Sequence, residues 1–186
     1  MKRLRQYIRQ VLLTEAAKGV SDLPKDVYVV IENNWPMSNI YFATYNEILD
    51  EYISTDLDGD ENWDTPVGFI EIRHTEGKCL DGAVVTLSEA ESGWGPFLYD
   101  IAMEWATLMG SGLMSDREVV SQDAQSVWDY YYYRRSDVTN KQLDNEVDSF
   151  KNGTQDDCTQ DSARKNAKEA GHGDWAESEL SKVYSK

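Results

Sequence analysis

Apolar residues recur at three- and four-residue spacing over residues 2–17, where Leu4, Ile8, Val11, Leu12 and Leu13 are interleaved with Lys2, Arg3, Arg5 and Arg9. That period predicts an amphipathic helix with a basic face, stopped by Gly19. After Pro24 the character changes: Val27-Tyr28-Val29-Val30-Ile31 and Ile40-Tyr41-Phe42-Ala43 are rich in β-branched and aromatic residues. With Asn33, Asn34 and Pro36 between them they predict a hairpin. Two further strands are expected at 67–73 and 82–87, separated by a loop with Gly77 and Asp81. Helical period returns after Gly93-Trp94-Gly95-Pro96, with Pro96 suited to a first turn and Gly110 and Gly112 to the end, which predicts a helix over 97–109. A short strand around Leu113-Met114, at 112–115, then leads to a helix from about Ser121 to Tyr133. Ser121 or Asp123 would cap it, and Ala124, Val127, Trp128 and Tyr131 form its apolar face.

The order strand, helix, strand predicts a parallel pair at 82–87 and 112–115 with a right-handed crossover. The fold class is therefore α/β in the broad sense, an α+β mixed sheet flanked by helices. Beyond Arg135 the large apolar residues thin out, and Asp, Asn, Gln, Ser and Lys dominate residues 137–186. Such a stretch buries too little surface to offset its ordering entropy alone. The chain divides on this reading into a basic helix at 1–19, a domain at 20–136 and a polar tail or docking arm at 137–186.

Composition narrows the function classes. With 18 basic and 34 acidic residues the 186-residue chain carries a net charge of −16, which repels nucleic-acid phosphates and anionic lipid. No apolar run approaches the roughly 18 residues of a membrane span, and no secretory h-region opens the chain. The expectation is a soluble protein without nucleic-acid or membrane partners. Eight carboxylates between Glu47 and Asp64 suggest a calcium loop, but counting from Asp56 the EF-hand glycine and the terminal acid positions hold Glu61 and Val67. An acidic solvated loop is the better reading. Cys79 and Cys158 match no metal-ligand spacing and are expected as free thiols. His74 and His172 are isolated and read as surface histidines. No metal site is expected.

The run from Ala83 to Tyr133 carries the chemistry. A Gly-x-Gly between strand and helix offers backbone N–H groups to a phosphate at the helix N-terminus. The third Rossmann glycine is missing, since Leu98 follows Gly95-Pro96-Phe97, and no Gly-Lys-Ser/Thr makes a P-loop. Residues 65–135 resemble the GNAT superfamily of acyl-CoA N-acyltransferases. There a strand is followed by an Arg/Gln-x-x-Gly-x-Gly loop, a helix with two apolar residues, a further strand, and a helix with an Ala and an aromatic four residues later. Gly93, Gly95, Leu98 and Tyr99 occupy the loop and first helix, Leu113-Met114 the strand, and Ala124 and Trp128 the last helix, while Val67 to Arg73 resembles the preceding strand. Three positions depart from the pattern: Ala90 for the Arg/Gln, Pro96 without an N–H, and Trp128 where many members have a tyrosine that protonates the thiolate.

The resemblance implies transfer of an acetyl or acyl group from acetyl-CoA or another acyl-CoA to an amine. CoA would be held by Gly93, Trp94, Gly95 and Leu87, a displaced phenol from Tyr130 or Tyr131 would serve as acid, and Glu71 and Asp116 would activate the amine. For Trp94, packing of the loop against the core is the safer reading, with a place beside an adenine or pantetheine group as the alternative. Residues 93–106 and 127–131, with the closing Ser178 to Tyr184, are also similar to small proteins of tailed phages. That similarity implies an alternative: a catalytically inactive GNAT-like structural or interaction protein of a virion. Virion subunits or a second copy would then dock through the first helix and the tail, and the setting would be the host cytoplasm or the virion.

Overall fold

The computed structural model describes residues 18–25, 27–46, 51–54, 68–143, 158 and 177–186. Among them is one mixed sheet with helices, an α+β arrangement. The expected hairpin is present: β1 (Val27–Asn34) pairs antiparallel with β2 (Met37–Asn46), and Trp35 and Pro36, joined by a cis peptide, make the turn. Along β2, Ser38, Ile40 and Phe42 alternate inward, all fully buried, as the period of a strand requires. The other side of β2 pairs with β4 (Gly68–His74) through residues 37–41 and with β3 (Glu51–Ser54) through 43–46. Strand β3 corrects the acidic-loop reading at residues 51–54, where Tyr52 and Ile53 supply β-propensity amid the carboxylates; the rest of 47–64 lies outside the described residues. The calcium reading at Asp56 falls outside the described residues, as does the basic helix at 2–17.

Strand β4 pairs antiparallel with β5 (Ala83–Ala90). After β5 come α1 (Gly95–Met109), β6 (Leu113–Met114), α2 (Gln122–Arg134), β7 (Thr139–Gln142) and β8 (Lys182–Ser185). The sheet runs β1-β2-β4-β5-β6-β8-β7, with β3 beside β2. Strands β5 and β6 are parallel and joined by α1, as the sequence predicts.

Period-two alternation sorts the central strands onto two cores. Ala83 and Val85 of β5, Leu113 of β6 and Tyr184 of β8 join Ile40, Phe42, Ile70 and Ile72 under the buried face of α1, which contributes Leu98, Ala102, Met103 and Ala106. Their neighbours Val84, Met114 and Val183 point the other way, into a second cluster with Cys79, Leu143 and Cys158. Burial on both faces explains why these strands read as short continuous apolar runs.

Three further expectations are corrected. The last two strands lie within the stretch read as a polar tail: β8 lies between β6 and β7, with Leu113 opposite Tyr184. Leu180, Val183 and Tyr184 are few but almost fully buried, and the open edge of β6 receives them. Arg117 fastens this return by donating to the Cys158 and Leu180 carbonyls at 3.1 Å each. Cys79 and Cys158 are not free thiols but a disulfide spanning 79 residues; separation along the chain says nothing about cysteines that share one face of a sheet. His74 is buried, not on the surface, because β4 turns it inward beneath the Trp35 ring, stacked at 4.8 Å. His172 lies outside the described residues. None of the described helices is long and apolar enough to cross a membrane.

The disulfide closes a long loop, so the double variant C79A/C158A should lose about 2–4 kcal/mol of stability in urea unfolding. Alkylation of the unfolded wild-type chain without reductant should find no thiol. An unchanged midpoint together with two alkylated cysteines would contradict the pairing.

Candidate functional site

The ladder between β4 and β5 slips by one residue. Glu71 faces Leu87 and Ile72 faces Val85, leaving Thr86 as the extra residue of a β-bulge. A bulge bends its strand, raises the local twist and switches which face the following side chains take. Before it, Ala83 and Val85 face the helices; after it, Ser88 does, with its Oγ 3.0 Å from the Tyr99 hydroxyl on α1. The Thr86 hydroxyl donates to Glu71 Oε1 at 2.5 Å and fixes the irregular register.

Beyond the bulge β5 and β6 part. Their ladder consists of Ala83 with Leu113 and Val84 with Met114, after which β5 runs on to Ala90 while the chain leaves β6 through Ser115, Asp116 and Arg117. The edge of β5 from Val85 to Ala90 has no strand partner on that side among the described residues. Two adjoining cavities of about 310 and 340 Å³ occupy the gap and share Ser88, Tyr99, Ser121 and Ala124. The first adds Gly95 and Leu98 from the start of α1. The second adds Val85, Leu87, Val120 and Trp128. Local chemistry holds the walls: Ser121 caps α2 by accepting the Ala124 N–H at 3.2 Å, and Asp116 Oδ1 accepts the N–H groups of Glu118 and Val119 at 2.7 and 2.8 Å.

The cleft gathers some of the residues singled out from the sequence. Gly95 lines the first cavity, and Leu87 and Asp116 line the second. Glu71 stands behind Thr86 rather than in the wall. Gly93 has φ +87, a conformation glycine adopts without strain, and its carbonyl accepts the Lys18 N–H at 3.2 Å. Trp94 is buried and packs the loop against Phe42, edge to face at 5.2 Å, with Lys18 Nζ 4.7 Å from its ring centroid.

Tyr130 and Tyr131 lie elsewhere. The Tyr131 hydroxyl donates to Asp100 Oδ1 at 2.6 Å, and the Arg135 guanidinium grips the same carboxylate at 3.0 Å with the Tyr130 ring beneath it at 5.8 Å. Burial, reinforced by the Asp100 charge, pushes the Tyr131 phenol far above its usual range. Neither tyrosine lines either cavity.

Sequence reasoning passed over Ser88 and the hydroxyl of Tyr99. The available signal was a break in alternation, Thr86-Leu87-Ser88-Glu89, after the regular Val84-Val85. Burial raises the Tyr99 phenol, with the Ser88 hydrogen bond acting in the opposite sense. The described lining carries the carboxylates Glu89, Asp123 and Asp116 and no Lys or Arg; Lys18 lies against Gly93 and the Trp94 ring, neither of which lines a cavity. Among the described residues no three His, Cys, Asp or Glu side chains converge as metal ligands. A hydroxyl–imidazole pair, Ser38 Oγ 3.4 Å from His74 Nε2, is sealed in the core, and Trp105 Nε1 donates to the same Ser38 at 3.2 Å. Comparison with family models, curated proteins and solved structures finds no match for this chain.

The buried phenols set an alkaline limit. Tyr99, Tyr131 and Tyr184 are raised chiefly by burial, and burial with Glu32 pushes Tyr41 up to about 12. A raised folded value contributes stability that is whole below the unfolded value near pH 10 and is lost as pH climbs past it. Titration followed at 295 nm should show part of the 11 tyrosines ionising smoothly and the rest only with unfolding. Smooth ionisation of all of them in the folded state would contradict this.

Proposed function

We propose that the parted β5–β6 cleft holds an acyl-CoA and that the chain is a GNAT-like N-acyltransferase acting on an amine. The observation that carries this reading is the bulged β5 diverging from its parallel partner beside a Gly-Trp-Gly entry to α1. In that arrangement a strand edge unpaired among the described residues, a helix N-terminus and a hydroxyl pair converge on one cavity. The two closing strands, β7 and β8, add to the similarity with the family.

The chain's own groups suit such a ligand. Amide groups along Val85 to Ala90 would pair with an extended, amide-bearing arm as a further strand would. A Cβ placed on Gly95 meets nothing within 4 Å, so there is open space at the α1 N-terminus, where backbone N–H groups favour a phosphate. Asp116 and the Glu71–Thr86 pair are positioned to draw a cationic amine toward the second cavity. Holding thioester and amine together would supply much of the rate acceleration, since acyl transfer from a thioester requires little beyond orientation and polarisation.

A second reading is an inactive GNAT-like virion protein. It is favoured by Ala90 and Pro96, which remove an expected side chain and an N–H from the loop, and by the carboxylates Glu89 and Asp123 beside the phosphate position. Thermal-shift titration separates the two. Acetyl-CoA at 100 times its Kd should stabilise the chain by about 2.7 kcal/mol, and Gly95→Trp, whose Cβ is unopposed, should fold normally yet lose that stabilisation. No stabilisation of the wild type at millimolar CoA would contradict the enzyme reading and favour the virion role.

A further inference from the structure

We propose that Tyr99 is the residue that protonates the departing thiolate, with Ser88 as its hydrogen-bond partner. This rests on the acyltransfer reading of the cleft and assigns a chemical role within it. Three observations carry it. Tyr99 supplies the one phenol among the described residues lining the two cavities, and it lines both. Its hydroxyl lies 3.0 Å from Ser88 Oγ, and Ser88 is exposed, so the pair links the core to the open cleft where the cavities meet. Its ring is held edge to face on Trp128 at 5.6 Å and is almost fully buried, so the hydroxyl is fixed in position.

The other proton-bearing aromatics are occupied or unsuited. Tyr131 donates into the Asp100–Arg135 pair, away from the cleft. Trp128 lines the second cavity, but an indole N–H is a donor that does not give up its proton near neutral pH. Burial keeps the Tyr99 phenol in its protonated form at neutral pH, the form a general acid needs.

The step balances as follows. The amine nitrogen forms a bond to the acyl carbon, the carbon–sulfur bond breaks with its electron pair leaving on sulfur, and the Tyr99 O–H proton passes to that sulfur to give a thiol. The proton released by the acylated nitrogen returns through solvent and the Ser88 hydroxyl to the tyrosinate. The net reaction is amine plus thioester giving amide plus thiol, with no external acid or base consumed.

The test compares wild type, Tyr99→Phe and Ser88→Ala in two acyl transfers to spermidine and to Nα-acetyl-lysine, one from acetyl-CoA and one from the acetyl thioester of 4-nitrothiophenol. The nitrothiophenolate is a weak base that leaves without a proton. Tyr99→Phe should lower kcat with acetyl-CoA about 10²-fold, leave KM and the CoA thermal shift near wild type, and lose little with the aryl thioester. Ser88→Ala should fall between the two. Equal losses with both thioesters, or wild-type kcat in Tyr99→Phe, would overturn the role of Tyr99 while leaving the cleft assignment standing. A wild type that neither responds to CoA nor acetylates either amine would overturn the acyltransfer reading and this inference together.

Discussion

The arrangement of the whole site depends on one extra residue in β5. Thr86 interrupts the ladder with β4, and its hydroxyl is held on Glu71 so that the interruption has one geometry. A bulge twists its strand more strongly than regular pairing does. Here the consequence is that β5 keeps only two residue pairs with β6, then leaves a gap between two strands that would otherwise close on each other. The same insertion reverses the facing of Ser88 and so brings its hydroxyl to Tyr99. Without the bulge, alternation would turn Leu87 toward α1 and Ser88 away from it.

A sheet opened in this way needs support on the far side of β6, which has only Leu113 and Met114 to offer. The return of the chain supplies it. Tyr184 of β8 pairs with Leu113 and stacks on Trp128 at 5.3 Å, its hydroxyl donating to the Glu179 carbonyl at 2.7 Å. On the opposite face the Cys79–Cys158 disulfide closes the second core around Met114 and Val183. Gly112, at φ +124, lets the chain enter β6, and its carbonyl accepts the Ala83 N–H at 2.8 Å. The two-residue strand β6 is thus braced by β8 and by the second core, and the cleft lies directly beside it.

Much of this was legible in the residues. The β-branched runs around Val29 and Phe42, the Gly-rich entry and apolar face of α1, and the parallel pair it joins all follow from local period and punctuation. What local pattern hides is what depends on partners. Residues 182–185 are ordinary in composition and become a central strand because β6 leaves an edge for them. Cys79 and Cys158 meet through the fold and not through spacing. Of the residues that the strand–Gly–helix order singles out, Gly95, Leu87 and Asp116 line the two cavities, whereas Tyr130 and Tyr131 line neither, because helical phase alone does not say which face of α2 meets the cleft. Tyr99 was counted with the apolar face of α1, and only the bulge shows that its hydroxyl has a partner.

Hydrogen exchange of the backbone amides with and without acetyl-CoA tests the central claim that the β5 edge is the binding surface. The account requires slower exchange in the ligand's presence over Val85 to Ala90 and over Gly93 to Leu98, with the edge strand β1 unchanged. Exchange that is unaltered over both stretches, or slowed only at sites remote from the cleft, would contradict it.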